Sequence, residues 1–301
     1  MGRTGFLTIA VIAITALVSY RGFTSSAFAD RFLFTPGKIL GRREYHRLLS
    51  GAFLHVNWAH LLLNLFAFYC FGNLIELRYG PEVLAGIYFP SIVGGHLFAL
   101  WIHRHHPDYG AMGASGGVCG VLLAAILLFP RIEIGLWPLP VQVPGWLFAI
   151  LFLGGSIFGI RRQTDVIGHE AHFGGALTGL AVTAAVYPSA VVQSPFLFAG
   201  VVLVSIGGIV WLAFRPLHMP ARKPRIVRSG EEEDLYESGR EKRERERDET
   251  RLDELLDRIH RSGMEHLSEK EQQELAEISR RKNERAEKTR QAKERYDRER
   301  G

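Results

Sequence analysis

The sequence predicts an all-α polytopic membrane protein, and three observations carry that prediction. First, seven runs are apolar enough to form bilayer-crossing helices, each of which needs roughly 20 residues. They lie near 5–22, 53–75, 83–102, 112–129, 143–160, 168–187 and 196–214. Second, charge is segregated: residues 1–220 hold 13 Lys+Arg and 8 Asp+Glu, whereas residues 221–301 hold 23 of each. The net charge of +5 therefore belongs to the apolar part, and with a balanced tail it argues for no nucleic-acid partner. Third, the ionisable and amide groups inside the apolar runs are few, and such groups usually face a cavity or a partner. Open sheet edges cannot sit in lipid, so strands are not expected to span. The two cysteines, Cys70 and Cys119, imply neither a disulfide framework nor a zinc site.

Taken in order, the first run has the outline of a secretory signal. Arg3 precedes an apolar core from Phe6 to Val18, and Ala27-Phe28-Ala29 resembles a small-residue cleavage site. Arg21 interrupts before that site, so a retained helix is the expectation. Residues 23–50 are the longest connection between runs. Phe32-Leu33-Phe34 and Ile39-Leu40, flanked by Arg31, Lys38, Arg42 and Arg43, fit a segment lying on the membrane surface. An ordinary loop with scattered apolar residues fits equally well.

The second run carries His55, His60 and Asn64, the last two sharing a helix face one turn apart. The third holds His96, with no polar neighbour one turn away. It runs into His103-Arg104-His105-His106, whose spacing matches no zinc pattern and which is expected to be a solvated helix end. The fourth run begins at Gly113-Ala114-Ser115-Gly116-Gly117 and stops at Pro130. Pro138, Pro140 and Pro144 make the next connection extended. The sixth opens with Gly168-His169-Glu170-Ala171-His172, which is not HExxH, because the second histidine comes three residues after the first. Gly175 and Gly179 follow on the His172 face with the spacing of close helix packing. The seventh run has no ionisable residue.

The predicted segmentation is a six-helix body over 1–187, an additional helix over 188–214, a charged linker over 215–250 and a small helical tail over 251–301. Leu252, Leu255, Leu256 and Ile259 share a helical face. Gly263 breaks it, and Ser268 with Glu271 reads as a capping box. Leu275 and Ile278 continue the apolar stripe. The tail is too small to form a robust core of its own.

Ser115, the pair His60 and Asn64, and His172 lie on the fourth, second and sixth runs, near the starts of runs that all point one way. They are expected at the same side of the membrane. A serine needs an adjacent base to become a nucleophile, and His172 is the candidate, largely neutral at pH 7. Acyl transfer also needs donors for a developing oxyanion. His60, Asn64 and backbone N–H at the Gly113–Ser115 turn are the candidates. No carboxylate occupies an obvious third position, so the arrangement would be a dyad. No cofactor and no metal is expected.

These residues resemble the rhomboid family of intramembrane serine proteases. Gly113-Ala114-Ser115-Gly116 is similar to its GxSG motif. His55-x4-His60-x3-Asn64 resembles its second-helix motif, and Ala171-His172-x2-Gly175-x3-Gly179 its sixth-helix motif. The likeness covers residues 5–187. It implies a six-helix core with one added helix, a Ser115–His172 dyad, oxyanion binding by His60, Asn64 and the Gly113 turn, and cleavage of single-span membrane proteins near the bilayer surface. It also implies a bacterial inner-membrane setting, and the tail resembles a short helical motif of some bacterial rhomboids. With so small an apolar face the tail is expected to be regulatory or to dock a soluble partner. Two departures stand out. Cys119 occupies the place of an aromatic one turn after the serine, and His46-Arg47 replaces a Trp-Arg pair. The positive-inside rule places the Ser115 side in the cytoplasm, while the resemblance places it outside. The alternatives to a protease are an inactive rhomboid-like protein that binds membrane clients, and a transporter, against which the scarcity of intramembrane carboxylates weighs.

Overall fold

The computed structural model describes residues 4–135, 140–162, 168–213, 248, 251–252, 255, 258–259, 267–268 and 270–281. The chain divides into two compact units, residues 1–229 and 230–301.

In the first unit eleven helices occur among the described residues: α1 (Phe6–Thr24), α2 (Ser26–Phe32), α3 (Pro36–Arg42), α4 (Arg47–Ser50), α5 (Trp58–Tyr79), α6 (Pro81–Ile102), α7 (Ser115–Leu128), α8 (Gly145–Arg162), α9 (His169–Val186), α10 (Pro188–Gln193) and α11 (Pro195–Ala213). Every one of the seven expected runs is a helix. Five of them, α1, α5, α6, α8 and α11, are long and apolar enough to cross a membrane, and α7 is a shorter apolar helix. Large apolar side chains are exposed on their outer faces, among them Phe6, Leu62, Phe66, Leu151, Phe196 and Leu203. Helices that are apolar both inside and outside belong in lipid.

Helix α7 is the axis of the bundle. Every residue from Gly116 to Leu128 is buried. Glycines bring α9 against it. A Cβ at Gly175 would collide with the Gly116 carbonyl, and one at Gly179 with the Gly120 backbone. Helix α6 closes the third side, where a Cβ at Gly117 would lie 2.6 Å from the Tyr88 ring. Helix α11 lies along α8, with Arg161 set 4.7 Å from the centroid of Trp211.

Helix α1 is held at both ends by α5 and the turn before it. Glu76, buried on α5, accepts from the N–H groups of Leu7 and Thr8 (2.8 and 2.7 Å) and from the Thr8 hydroxyl (2.7 Å). A carboxylate there satisfies donors that a helix start leaves open and complements its dipole. Asn73 accepts from Gly5 N–H.

The long first connection is not an ordinary loop. It is three short helices with part of their apolar surface turned to the protein, while Leu40 and Leu49 are exposed. Phe34 and Ile39 are fully buried, and Phe34 stacks on His96 at 4.8 Å. Arg47 is the staple: its guanidinium donates to Glu44 (2.6 Å) and to the carbonyls of Asp30 (2.8 Å) and Leu33 (2.6 Å). The Arg47 side chain, by hydrogen bonding, holds the Glu44 carboxyl below its ordinary value. Leu40 alone of the Ile39-Leu40 pair is exposed. The connection after Pro130 also departs from a plain extended loop. Glu133–Gly135 and Gln142–Pro144 pair as a small antiparallel ribbon. It lies between helices, so the argument against strands in lipid does not reach it. Pro138 lies outside the described residues.

In the second unit the described residues between 248 and 259 and residues 270–281 are helical. Ser268 and Glu271 form the expected box: Ser268 N–H donates to Glu271 Oε2 at 3.0 Å and Glu271 N–H to Ser268 Oγ at 3.3 Å. Two arginine forks, Arg251 on Glu274 and Arg281 on Asp248, tie the segments together. Leu255, Leu267 and Ile278 are buried between them. Leu256, Gly263 and most of the charged linker lie outside the described residues.

The glycine seam gives a stability prediction. Gly179→Ala is expected to destabilise the protein by about 2 kcal/mol, because a methyl group must displace the α7 backbone. Unfolding in mixed detergent micelles, followed by loss of helical circular dichroism, measures it. Gly154→Ala, where the added Cβ meets open space, is the control.

Candidate active site

From Met112 to Leu128 every residue is buried except Ser115. Ser115 is the first residue of α7, and the N–H groups of the first helical turn have no partner within the helix. The serine opens onto a cavity of about 360 Å³. Its lining includes Asn57, His60, Tyr109, Gly113, Ser115 and His172. The starts of α5, α7 and α9 thus meet at one end of the bundle. The glycine seam sets this meeting. With Gly116 pressed on Ala171 (a Cβ would lie 3.1 Å from its carbonyl), the residue after Ser115 touches the residue before His172.

The turn that delivers Ser115 is fixed by buried bonds. Gly113 adopts φ of 133°, which a side chain rarely allows, and a Cβ there would lie 2.8 Å from His60 Cε1. Only glycine fits. Its N–H donates to Gly51 O at 3.1 Å. The next N–H, of Ala114, donates to His55 Nε2 at 3.3 Å. An accepting Nε2 makes His55 Nδ1 the protonated nitrogen of the neutral ring, and it lies 2.8 Å from Ser19 Oγ, which donates to Phe53 O. His55 is fully buried and links α1 to the serine turn. The signal was present in the motif spacing, but the partner on α1 was not foreseeable.

The predicted oxyanion donors separate. His60 lines the cavity, its own N–H capped by Asn57 Oδ1 at 2.8 Å. Asn64 is buried, is not part of the lining, and its amide donates back to His60 O at 2.9 Å. The N–H groups of Gly113 and Ala114 are engaged elsewhere, which leaves those at the start of α7 nearest the serine.

His172 half-emerges from the first turn of α9. Its ring faces Phe152 of α8 at 6.3 Å, 24° from parallel, and His169 edge-on at 6.0 Å. The aromatic neighbour that Cys119 cannot provide comes from another helix. Cys119 itself is buried in the core. His96 both packs and lines the cavity, and its Nδ1 lies 2.8 Å from Leu48 O, in hydrogen-bond range. The histidine run after α6 is solvated only in part: Arg104 and His105 are exposed as expected, but His103 is buried against Glu170 and Tyr109. Among the described residues no cluster could hold a metal.

Comparison with known proteins follows this geometry. Residues 42–189 match the Rhomboid domain. Residues 233–281 match a family of unknown function, DUF6576. The chain is 28% identical over 189 residues to RHOMBOID-like protein 12, mitochondrial, of Arabidopsis thaliana, covering 58% of this chain and 56% of that protein. It is 24% identical over 237 residues to the Rhomboid protease GluP of Bacillus subtilis, covering 78% and 44%. It is also 35% identical over 83 residues to the Inactive RHOMBOID-like protein 8 of Arabidopsis thaliana, covering 28% and 24%. The chain spans about half the length of the first two relatives.

The Phe152 contact yields a test of reactivity at this site. Phe152→Ala is expected to slow phosphonylation of Ser115 by a fluorophosphonate roughly three- to tenfold, the value of one aromatic packing partner. The rate constant of labelling, in intact detergent-solubilised protein, is the measurement.

Proposed function

We propose that this multi-pass membrane protein, with a Rhomboid domain over residues 42–189, is an intramembrane serine endopeptidase with a Ser115–His172 dyad. The carrying observation is that Ser115, His172 and His60, from three helices, line one cavity in an otherwise buried segment. His172 takes the Ser115 proton as Oγ attacks a peptide carbonyl, then gives it to the leaving amine. Donors at the start of α7 and the His60 ring stabilise the oxyanion, with Asn64 joining once it turns from the His60 carbonyl. Water then hydrolyses the acyl-enzyme. Glu170 cannot orient the base directly, because residues two apart on a helix face different ways.

The substrates on this reading are single-span membrane proteins cut near the bilayer surface. An intact helix hides its carbonyls in i to i−4 bonds, so the segment must unwind to be cut. The setting is a bacterial cell membrane, a reading supported by the match to the Bacillus protein over 78% of the chain. Six helices, α1, α5, α6, α7, α8 and α9, form the core, and α11 is the added seventh. The tail, outside the dyad's unit, serves a soluble partner.

Ser115→Ala and His172→Ala are each expected to abolish fluorophosphonate labelling and reporter cleavage, because dyad members act as a unit. His169→Ala should be mild. Absence of labelling in the folded wild type would favour instead an inactive protein that binds membrane clients; one relative carries the name inactive.

Asn64→Ala is expected to lower turnover roughly 10- to 1000-fold with a smaller change in KM, as loss of an oxyanion donor does. A raised KM at unchanged kcat would assign Asn64 to binding.

A further inference from the structure

The mechanism leaves one buried pair unused. His103 is the first residue beyond α6, with its backbone N–H bonded to Ala99 O at 2.9 Å. Its Nε2 lies 3.1 Å from Glu170 Oε1, and both side chains are almost wholly buried. The His103 ring is stacked flat on Tyr109, 3.4 Å between centroids and 7° from parallel. The burial of Tyr109, together with the nearby Glu170 carboxylate, raises its phenol well above the ordinary value.

The placement of this pair is unusual. Tyr109 and the residues through Gly113 form one wall of the cavity, and Gly168, Ala171 and His172 another. The first wall is the loop that ends in Ser115. The second is the first turn of α9. The His103–Glu170 bond joins the two walls behind the cavity, two residues before the base. Close packing already brings α6 against α9 at Gly95 and Ala171. Packed helices can still slide or rotate in small steps, and one directional bond at their ends fixes the rotation. Removing the Glu170 carboxylate leaves His103 Nε2 buried without the bond it makes here, which is costly.

We infer that His103 and Glu170 are positioning residues: their bond sets the first turn of α9, and so His172, against the loop that delivers Ser115. The inference rests on the protease reading and deepens it. Neither residue touches the reacting atoms.

The test compares Glu170→Ala, Glu170→Gln and wild type in the full-length protein, using a fluorophosphonate and a cleavable single-span reporter. Two quantities are read separately: the fraction of protein labelled and the rate constant of labelling. A folding defect lowers the fraction, and a misplaced base lowers the rate constant. Glu170→Ala is expected to reduce the rate constant, and kcat with it, by roughly tenfold to a hundredfold, as a displacement near 1 Å does. KM should change little. Glu170→Gln keeps an acceptor for His103 and is expected within about threefold of wild type. Should the alanine variant fail to insert, His103→Phe preserves the stack on Tyr109 and removes only the bond. It is expected to slow labelling in the same way. A wild-type rate constant in Glu170→Ala or His103→Phe, whatever the labelled fraction, overturns the proposal. So does a Glu170→Gln variant as slow as the alanine one. A folded wild type that labels no better than Ser115→Ala rejects the protease reading itself, and this inference falls with it.

Discussion

The contact between α7 and α9 is the constraint on which the site depends. Helices with ordinary side chains pack with axes 8–10 Å apart. Here Gly116 meets Gly175 and Gly120 meets Gly179, so backbone lies on backbone. In lipid no hydrophobic force drives helices together, and close van der Waals packing of small residues takes its place. The seam therefore does two jobs with the same four glycines. It holds the centre of the bundle, and it fixes the separation of the two helix starts that carry Ser115 and His172. A side chain at any of these positions would push Ser115 and His172 apart as it loosened the fold.

A second set of bonds sets the height and rotation of the serine turn. From Phe53 O through Ser19, His55 and Ala114 N–H, polar contacts join α1, the turn before α5 and the serine turn. Such contacts are strong in a low dielectric and costly when incomplete. The first helix is consequently part of the site's support, held at its other end by Glu76. Cleavage after Ala29 would remove Ser19 and leave His55 Nδ1 without it.

Most of the helices were legible because bilayer thickness forces a length and hydropathy on each span. The starts of α5, α7 and α9 were legible because polar residues in such spans are conspicuous and chain direction alternates. The spacing of Gly175 and Gly179 on α9 predicted close approach, though not which glycines they meet. What could not be read is pairing across the chain. Phe152 is one apolar residue among many in α8, and only the fold sets it against His172. Phe34 and Ile39 looked fit for lipid because apolar residues look alike whether they face lipid or protein. His103 and Glu170 are 67 residues apart, and His103 in isolation resembled part of a solvated helix end. Asn64 and His60 shared a face as expected, yet the amide turns to a carbonyl one turn back, a local bond that sequence spacing permits as readily as a cavity-facing one.

Hydrolysis of a membrane-spanning segment, the reaction proposed here, sets two demands that conflict. The nucleophile must reach a bond that lies in lipid, and water must reach the nucleophile. Placing Ser115 at the first residue of a buried helix meets both. The thirteen residues after it are sealed in the bundle, so water is kept from the core. The cavity in front of it carries Asn57, His60, His96, Tyr109 and His172, polar groups that can hold water at one end of the bundle. A cavity of about 360 Å³ accommodates a short unwound stretch and a few waters, and not a helix with its side chains, which is 10–12 Å across. On the proposed reaction, the same geometry that admits water would select segments that unwind at low cost. Glycine and proline, the poorest helix formers by about 1 and 3 kcal/mol relative to alanine, lower that cost where they fall near the cut. Selectivity on this reading resides as much in the conformational free energy of the substrate as in contacts made by the enzyme.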